Sequence, residues 1–280
     1  MRGREGGSFF APFSPNVLVF FVIIRRKPVF YLPMLSSKNI NIEECFDMFV
    51  KEIGGKLIKE LLPKSPKTKN ADYLFPESEI IVAELKCLEK DYFRDKDYKR
   101  KLNDLYSMWQ SKGLVPPIYG RKTINTKDLP LECQTDVLRI VQDSIQRVIK
   151  KANKQIRETK EHLGLPHAKG LLLLANDGNY SLESDAAMYV LGEILKGRHY
   201  SSISSIVYFT VNMRTTIPGD SREALLWVDA YREKSRGVSE EFLSSLSERW
   251  GAFLEGKVGG EMCKKTIDNQ EFLKRIKFIR

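Results

Sequence analysis

The segment from Glu79 to Leu88 limits what this chain can fold into more than any other part of the sequence. It is almost entirely apolar, yet it carries Glu84 and Lys86 two positions apart. Because side chains alternate along a β-strand, both charges project from one face, and apolar residues on the same face favour its burial. The segment therefore predicts a largely covered strand whose two charged residues need a specific environment.

A second strand candidate, Ala71 to Phe75, precedes this segment, and the linker between the two has the length of a hairpin loop. Asp72 then lies on the neighbouring strand and can bring its carboxylate beside Glu84. Two adjacent carboxylates repel each other, and Mg²⁺ accepts one or two carboxylates together with water and substrate phosphate. We therefore predict that Asp72 and Glu84 hold Mg²⁺, for which Mn²⁺ can substitute, with the Leu85 carbonyl as a further ligand.

Lys86 completes the predicted site. Close to the metal, its amine can orient or help deprotonate an attacking water and stabilise charge that builds on a phosphate. Metal, water and lysine together predict hydrolysis of phosphodiester bonds. The alternative interpretation is that Glu84 and Lys86 form the solvent face of an edge strand, where charges protect against aggregation, and that Asp72 is a turn residue.

An Asp on one strand and Glu-x-Lys on the next resemble the PD-(D/E)XK nuclease superfamily, with Asp72, Glu84 and Lys86 at the matching positions. The resemblance covers about residues 40 to 212. It implies a restriction-endonuclease-like core of helix, three strands, helix and strand, and a Mg²⁺-dependent nuclease acting on DNA. Two departures are visible: Ala71 stands where the motif has proline, and a third strand is not evident between Leu88 and Asp136.

The resemblance also implies supporting residues on two helices. Members of the superfamily often have an acid on the first helix, for which Glu52 is the candidate and Glu44 the alternative. Many have a Gln or Lys on the helix after the motif, and Gln155 matches that position. For Gln155 the alternative is an ordinary solvated position on a long helix.

Hydrophobic periodicity outlines the remaining elements. It predicts strands at Ala168 to Ala175 and Ile203 to Val211, and helices at 40–62, 91–112, 136–163, 184–195, 221–233 and 239–254. The expected fold class is α/β, a mixed central sheet flanked by helices. Residues 34–215 are expected to form the nuclease-like domain, and residues 216–280 a helical C-terminal extension.

Residues 1–33 differ in composition from the rest and contain the apolar run Val17 to Ile24. Eight residues are too short to cross a bilayer, which takes about 20. The segment is a signal or anchor, a short buried strand, or sequence upstream of a translation start at Met34. We favour the last, because no small-residue cleavage site follows the run and basic residues do.

The chain carries 46 Lys plus Arg against 36 Asp plus Glu, a formal net charge of +10, which favours a polyanionic partner such as nucleic acid. A cationic stripe follows the long helix, and from it we select the candidate nucleic-acid-binding residues Arg147, Lys151, Lys154 and Lys160. A non-catalytic nucleic-acid-binding or scaffold protein with the same fold is the alternative to an enzyme.

The four cysteines are far apart in the sequence and contain no CxxC pair, which argues against a zinc ribbon and a disulfide framework. We expect an intracellular, cytoplasmic protein without stable membrane insertion. The patterns GxGxxG, GxxxxGK[ST], GxSxG and HExxH are absent, so dinucleotide binding, P-loop, α/β-hydrolase and zincin functions lack support. The oligomeric state stays open, with a homodimer among the alternatives.

Overall fold

A computed structural model of the chain describes residues 22–24, 27–31, 39–62, 69–91, 94–120, 124, 126–180, 182, 184–196, 199–217, 220–232, 237–258, 263–267 and 276–278. The beginning of the apolar run at Val17 lies outside these residues, as does everything before it. The described residues form a mixed α/β fold, which confirms the predicted fold class.

The helices of the described residues are α1 Ile42–Glu52, α2 Ile58–Leu61, α3 Lys96–Ser111, α4 Leu131–His162, α5 Ser184–Lys196 and α6 Glu240–Val258. The strands are β1 Val22–Ile24, β2 Lys27–Tyr31, β3 Lys56–Leu57, β4 Tyr73–Pro76, β5 Ile80–Leu88, β6 Lys169–Asn176, β7 Ser205–Thr210, β8 Thr215–Ile217, β9 Asp220–Arg232, β10 Cys263–Ile267 and β11 Lys277–Phe278.

Eight strands follow one another in the order β10-β2-β9-β7-β6-β5-β4-β3, while β1 and β8 pair with β9 and β11 pairs with β8. The central strands β5, β6 and β7 are parallel, and β3, β4 and β9 run antiparallel to their neighbours. Parallel neighbours require crossover connections, and here α4 connects β5 to β6 and α5 connects β6 to β7. The carboxyl ends of β5, β6 and β7 therefore meet at one edge of the sheet.

Each face of the sheet has its own core. Val82 and Leu88 of β5 belong to the cluster that contains the apolar side of α4, including Val141 and Ile145. The odd-numbered residues of β5 belong to the opposite cluster, which contains aromatic residues of α1 and α6. Because alternate residues point to opposite faces, Glu84 and Lys86 lie on the α4 side.

The predicted helix at 40–62 is interrupted, which corrects the sequence analysis. It ends at Glu52, and Gly54 follows with a φ of 85°, a conformation that favours glycine. A Cβ on Gly55 would lie 2.6 Å from Val50 and 3.1 Å from Phe75, so this turn packs tightly against the sheet. The chain then forms β3, a short strand paired with β4, so a third strand precedes Asp72 where the sequence analysis finds none after Leu88.

The predicted helix at 221–233 is wrong, because these residues form most of β9. The segment Ala224 to Val228 is buried at every position, which is typical of a strand covered on both faces. Such a run has no period-2 signal and also fits a buried helix. Since β9 pairs with β7 in the central sheet, residues 216–280 are not a helical extension, although the predicted helix at 239–254 is confirmed as α6.

The strands β1 and β2 both pair with β9. The last three residues of the apolar run are therefore in the sheet, which is the outcome that the buried-strand alternative predicts for them. In the portion of the chain that the structure describes, no helix combines the length and apolar character needed to span a membrane.

Candidate functional site

The hairpin of β4 and β5 forms as predicted, with Tyr73 opposite Ala83. Asp72 immediately precedes β4, and its backbone is fixed on both sides. Its N–H donates to the Ala83 carbonyl at 3.1 Å, and its carbonyl accepts from the N–H of Ile58 at 2.8 Å. The position of Asp72 is thus set by the neighbouring strand and by the first residue of α2.

The side chain of Asp72 reaches across to β5. Its Oδ2 accepts a hydrogen bond from the backbone N–H of Leu85 at 2.8 Å. The pairing of β4 with β5 ends at Tyr73 and Ala83. Beyond that point, the Asp72 side chain accepts from β5 the hydrogen bond that a backbone carbonyl of a longer β4 would accept. Since the N–H and C=O of one strand residue point to the same side, the Leu85 carbonyl also faces the side of Asp72. The structure thus brings Asp72, Glu84 and Leu85 together.

Glu84 is fully buried, with 0% of its surface exposed. Its Oε1 forms an ion pair with Nζ of Lys86, while its Oε2 has no hydrogen-bond partner. When Glu84 is ionised, this buried oxygen has lost its hydration, which typically costs about 1–3 kcal/mol or more; when Glu84 is protonated, its side chain can share the proton with Asp72. An additional positive group beside Oε2 would remove this cost.

The two carboxyl groups affect each other's ionisation in opposite directions. Burial raises the pKa of Asp72, whereas the N–H of Leu85, the charge of Lys86 and a hydrogen bond with the Glu84 side chain oppose that shift. Burial, reinforced by Asp72, raises the pKa of Glu84 to about 8, and Lys86 again opposes the shift. For both buried acids to be ionised at neutral pH, the site needs more positive charge than Lys86 alone supplies, and a divalent cation would supply it.

The donor set fits a hard cation that keeps part of its hydration. Within the described ranges, no group of three or more His, Cys, Asp or Glu side chains is arranged to hold a metal ion. The available donors are therefore two carboxylates, Asp72 and Glu84, and the backbone oxygen of Leu85. Mg²⁺ is commonly bound by one or two carboxylates, with water and substrate phosphate completing its coordination.

Lys86 connects this acid pair to solvent. Its side chain is 26% exposed, whereas that of its partner Glu84 is 0% exposed. The amine therefore lies at the boundary between the buried carboxylate and the surface. A group in this position can contact a bound anion without leaving Glu84.

For the acid predicted on the first helix, Glu52 is exposed at the end of α1, and the Glu44 alternative is exposed in its first turn, as is Glu43. Of these three acids, Glu43 contributes to the raised pKa of Asp72. Glu52 lies nine residues after Glu43, about two and a half turns, so it points to the other side of the helix. Glu43 was not predicted as a site residue.

Three side chains of α4 hold the two residues that precede Asp72. Nε2 of Gln155 donates to the Asn70 carbonyl at 3.0 Å, and Oγ1 of Thr159 accepts from the N–H of Ala71 at 2.7 Å. Nδ1 of His162 lies 3.3 Å from Oδ1 of Asn70. Gln155, predicted as a catalytic residue, thus contacts the backbone rather than the acid pair. Thr159 and His162 were not predicted, although a hydroxyl on the apolar side of α4 was the available signal.

Three of the four predicted nucleic-acid-binding residues of α4 are exposed, and the fourth is buried. Arg147 and Lys151 are exposed, and Lys154 is exposed while pairing with Glu158 at 3.6 Å. Lys160 is only 9% exposed, and its Nζ donates to the Ser202 carbonyl at 3.1 Å, so its assignment to a nucleic-acid surface is wrong. It follows Ile156 by four residues, which puts it on the buried side of the helix.

The chain was compared with protein-family models, with curated proteins and with solved structures, and none of these comparisons gave a match. The resemblance to the PD-(D/E)XK nucleases rests on Asp72, Glu84 and Lys86 and on the strands that carry them.

Proposed function

We propose that this protein is a Mg²⁺-dependent nuclease that hydrolyses phosphodiester bonds in DNA. The observation that carries the proposal is the Oε2 atom of Glu84, which is buried beside Asp72 without a hydrogen-bond partner. A cation there stabilises both carboxylates, and Lys86 supplies a further positive charge at the surface of the same site.

The order of the elements supports the proposal. Helix α1 is followed by β3, β4 and β5, and then, after α3, by the long helix α4 and by β6. Helix, three strands, helix and strand is the core that the resemblance implies. Asp72 stands directly before the second of the three strands, and Glu84 and Lys86 lie on the third.

The residues divide the chemistry between them. A Mg²⁺ ion held by Asp72, Glu84 and the Leu85 carbonyl supplies Lewis-acid polarisation of a phosphoryl oxygen and lowers the pKa of water. Asp72 is kept in position by the Leu85 N–H, so its free oxygen keeps a fixed direction. Lys86 orients the attacking water and neutralises charge that develops on the phosphate.

The exposed cations of α4 bind the substrate. Gln155 of α4 contacts Asn70, and Asn70 lies two residues before Asp72, so this helix borders the site. Arg147, Lys151 and Lys154 lie on the turns that precede Gln155. Cations at this spacing contact successive phosphates of a nucleic-acid backbone. We assign them to binding rather than to the chemical step.

The test is a cleavage assay on plasmid, single-stranded DNA and RNA with Mg²⁺, Mn²⁺ or EDTA. Glu84→Gln and Lys86→Met are each expected to reduce the rate at least about a thousandfold, whereas the matched control Asp104→Asn, an exposed acid on α3, leaves it unchanged. Mg²⁺ is also expected to raise the melting temperature of the wild type and not that of Glu84→Gln.

Folded wild type that cuts none of the three substrates and does not respond to Mg²⁺ contradicts the proposal. In that case, salt-dependent DNA binding that neither Mg²⁺ nor Glu84→Gln alters identifies the non-catalytic binding protein instead.

A further inference from the structure

A cavity of about 450 Å³ opens at the carboxyl ends of the parallel strands. Its walls come from three places in the chain: the residue after β5, the loop after β6 and the loop after β7. The approach to α1 closes it through Asn39 and Asn41. In open sheets with parallel strands this edge is where ligands bind.

Hydrogen bonds within the wall make the cavity a built feature. The N–H of Asp177 donates to the Leu88 carbonyl at 3.1 Å and joins the loop after β6 to the end of β5. Nδ2 of Asn212 donates to Oδ1 of Asp177 at 2.7 Å and to the Ile40 carbonyl at 2.9 Å, and its Oδ1 accepts from the N–H of Ile40 at 2.8 Å. One amide therefore joins two of the walls.

Gly178 brings the walls close together. Its φ is 117°, and a Cβ at this position would lie 3.0 Å from the Glu89 carbonyl oxygen. A side chain at residue 178 would be strained in this conformation and would press on the backbone of Glu89. The close approach keeps the carboxylates of Asp177 and Glu89 at one cavity.

The lining offers carboxylate acceptors, and the amides of Asn39 and Asn41 add donors at its edge. The amide of Asn212 is already used, and Oδ1 of Asp177 accepts from it. Oδ2 of Asp177 and both oxygens of Glu89 make no hydrogen bond or ion pair with the described part of the chain. Carboxylates accept hydrogen bonds and repel phosphate, so the cavity suits an uncharged group that donates them. Tyr180 also lines the cavity and is an aromatic residue of the kind on which bases can stack.

The cavity lies beyond the end of the strand that carries Glu84 and Lys86. Glu89 follows Lys86 by three residues, which is about 10 Å along a strand. The distance corresponds to one or two nucleotides of a single strand.

We propose that this cavity binds an unpaired base with an exocyclic amino group, such as adenine or cytosine, from the strand that is cut beside Asp72 and Glu84. The proposal rests on the proposed nuclease function and specifies its substrate. The amino group donates to the carboxylates of Asp177 and Glu89. Thymine has a carbonyl oxygen where cytosine has the amino group, so it is disfavoured. A base in the cavity cannot be paired, and the substrate is therefore single-stranded or locally opened.

The experiment uses single-stranded thymidine oligonucleotides with one adenine or one cytosine at a defined position. The wild type is expected to cut at a fixed distance from that base about tenfold or more faster than it cuts the all-thymidine strand. Asp177→Asn and Glu89→Gln replace one carboxylate oxygen by an NH2 group and remove the negative charge that attracts an amino group, so each is expected to reduce the preference while still cutting the all-thymidine strand. Asp104→Asn, an exposed acid on α3, is the matched control and keeps the preference.

A binding measurement separates this proposal from the nuclease function. In saturation-transfer NMR with free nucleosides, we expect the wild type to give binding signals for deoxycytidine and deoxyadenosine but not for thymidine. These signals are expected to disappear in Asp177→Asn and in Glu89→Gln. Cleavage and nucleoside binding that do not distinguish these bases overturn the cavity assignment and leave the nuclease intact. Binding of deoxycytidine that needs Asp177, without any cleavage, overturns the nuclease and retains the cavity. If Asp177→Asn does not fold, the same measurements on Glu89→Gln, at an exposed position, provide the test.

Discussion

The hydroxyl of Thr159 accepts a hydrogen bond from the backbone N–H of Ala71 at 2.7 Å, and both residues are buried. Ala71 is the residue before Asp72, so this contact fixes the position of Asp72 and the start of β4 relative to α4. A change at Thr159 can therefore alter a site that it does not touch.

We predict that Thr159→Val lowers activity although it preserves the shape of the side chain. The substitution leaves the Ala71 N–H buried and unpaired, which costs about 1–3 kcal/mol of stability and loosens the position of Asp72. Denaturation in urea measures the first effect, and the Mg²⁺ concentration needed for half-maximal cleavage measures the second. Thr159→Ser keeps the hydrogen bond but loses a methyl group, worth about 1 kcal/mol.

Stability alone does not separate these two variants, but metal dependence does. Thr159→Ser should need the same Mg²⁺ concentration as the wild type, and Thr159→Val should need more. Equal metal dependence of the two variants would show that the hydrogen bond does not position Asp72.

Gln155 offers a distinction between a positioning and a catalytic role. Because its amide donates to the Asn70 carbonyl, Gln155→Leu removes one support of the segment before Asp72 and no group of the acid pair. We expect kcat to fall about tenfold or less, against a thousandfold or more for Glu84→Gln. Single-turnover rates at saturating DNA measure this. A fall in kcat as large as that of Glu84→Gln would instead indicate a catalytic role for Gln155.

Local patterns predicted the hairpin and its three polar residues. The short linker before Glu79 and the alternation along β5 involve neighbours in the chain, so Asp72, Glu84 and Lys86 came together as expected. The position of Glu52 relative to Asp72 could not be predicted, because the rotation of α1 depends on tertiary packing and spacing within the helix does not specify it. The prediction of a helix at 221–233 was wrong because a strand that is buried on both faces shows no period-2 pattern.

The exposed cations of α4 should determine the salt dependence of DNA binding. Each phosphate contact that is lost lowers the slope of log K against log salt by about 1, so the triple variant Arg147→Ala, Lys151→Ala, Lys154→Ala is expected to lower it by up to about 3. Fluorescence anisotropy between 50 and 200 mM salt, roughly the range over which such contacts act, measures the slope. Lys51→Ala, an exposed lysine of α1 that pairs with Glu60, is the control and should leave it unchanged. An unaltered slope in the triple variant would assign the DNA to another surface.

Lys160 predicts a specific dependence of stability on pH. Burial, with a smaller contribution from Lys169, lowers its pKa from 10.5 to about 8, while the unfolded chain keeps the ordinary value. Between about pH 8 and pH 10.5 the unfolded state therefore holds one more proton than the folded state, and stability rises with pH. The penalty for burying the charged amine is fully present below pH 8 and is removed towards pH 10.5.

Lys160→Met keeps the length of the side chain and removes the proton. We therefore expect the wild type to gain on the order of 1–3 kcal/mol relative to this variant between pH 7 and pH 10. Urea denaturation of both proteins at each pH measures the gain, since other titrating groups cancel in the difference. Lys151→Met, an exposed position on the same helix, is the control. A pH-independent difference between the wild type and Lys160→Met would mean that the amine stays charged in its contact with the Ser202 carbonyl.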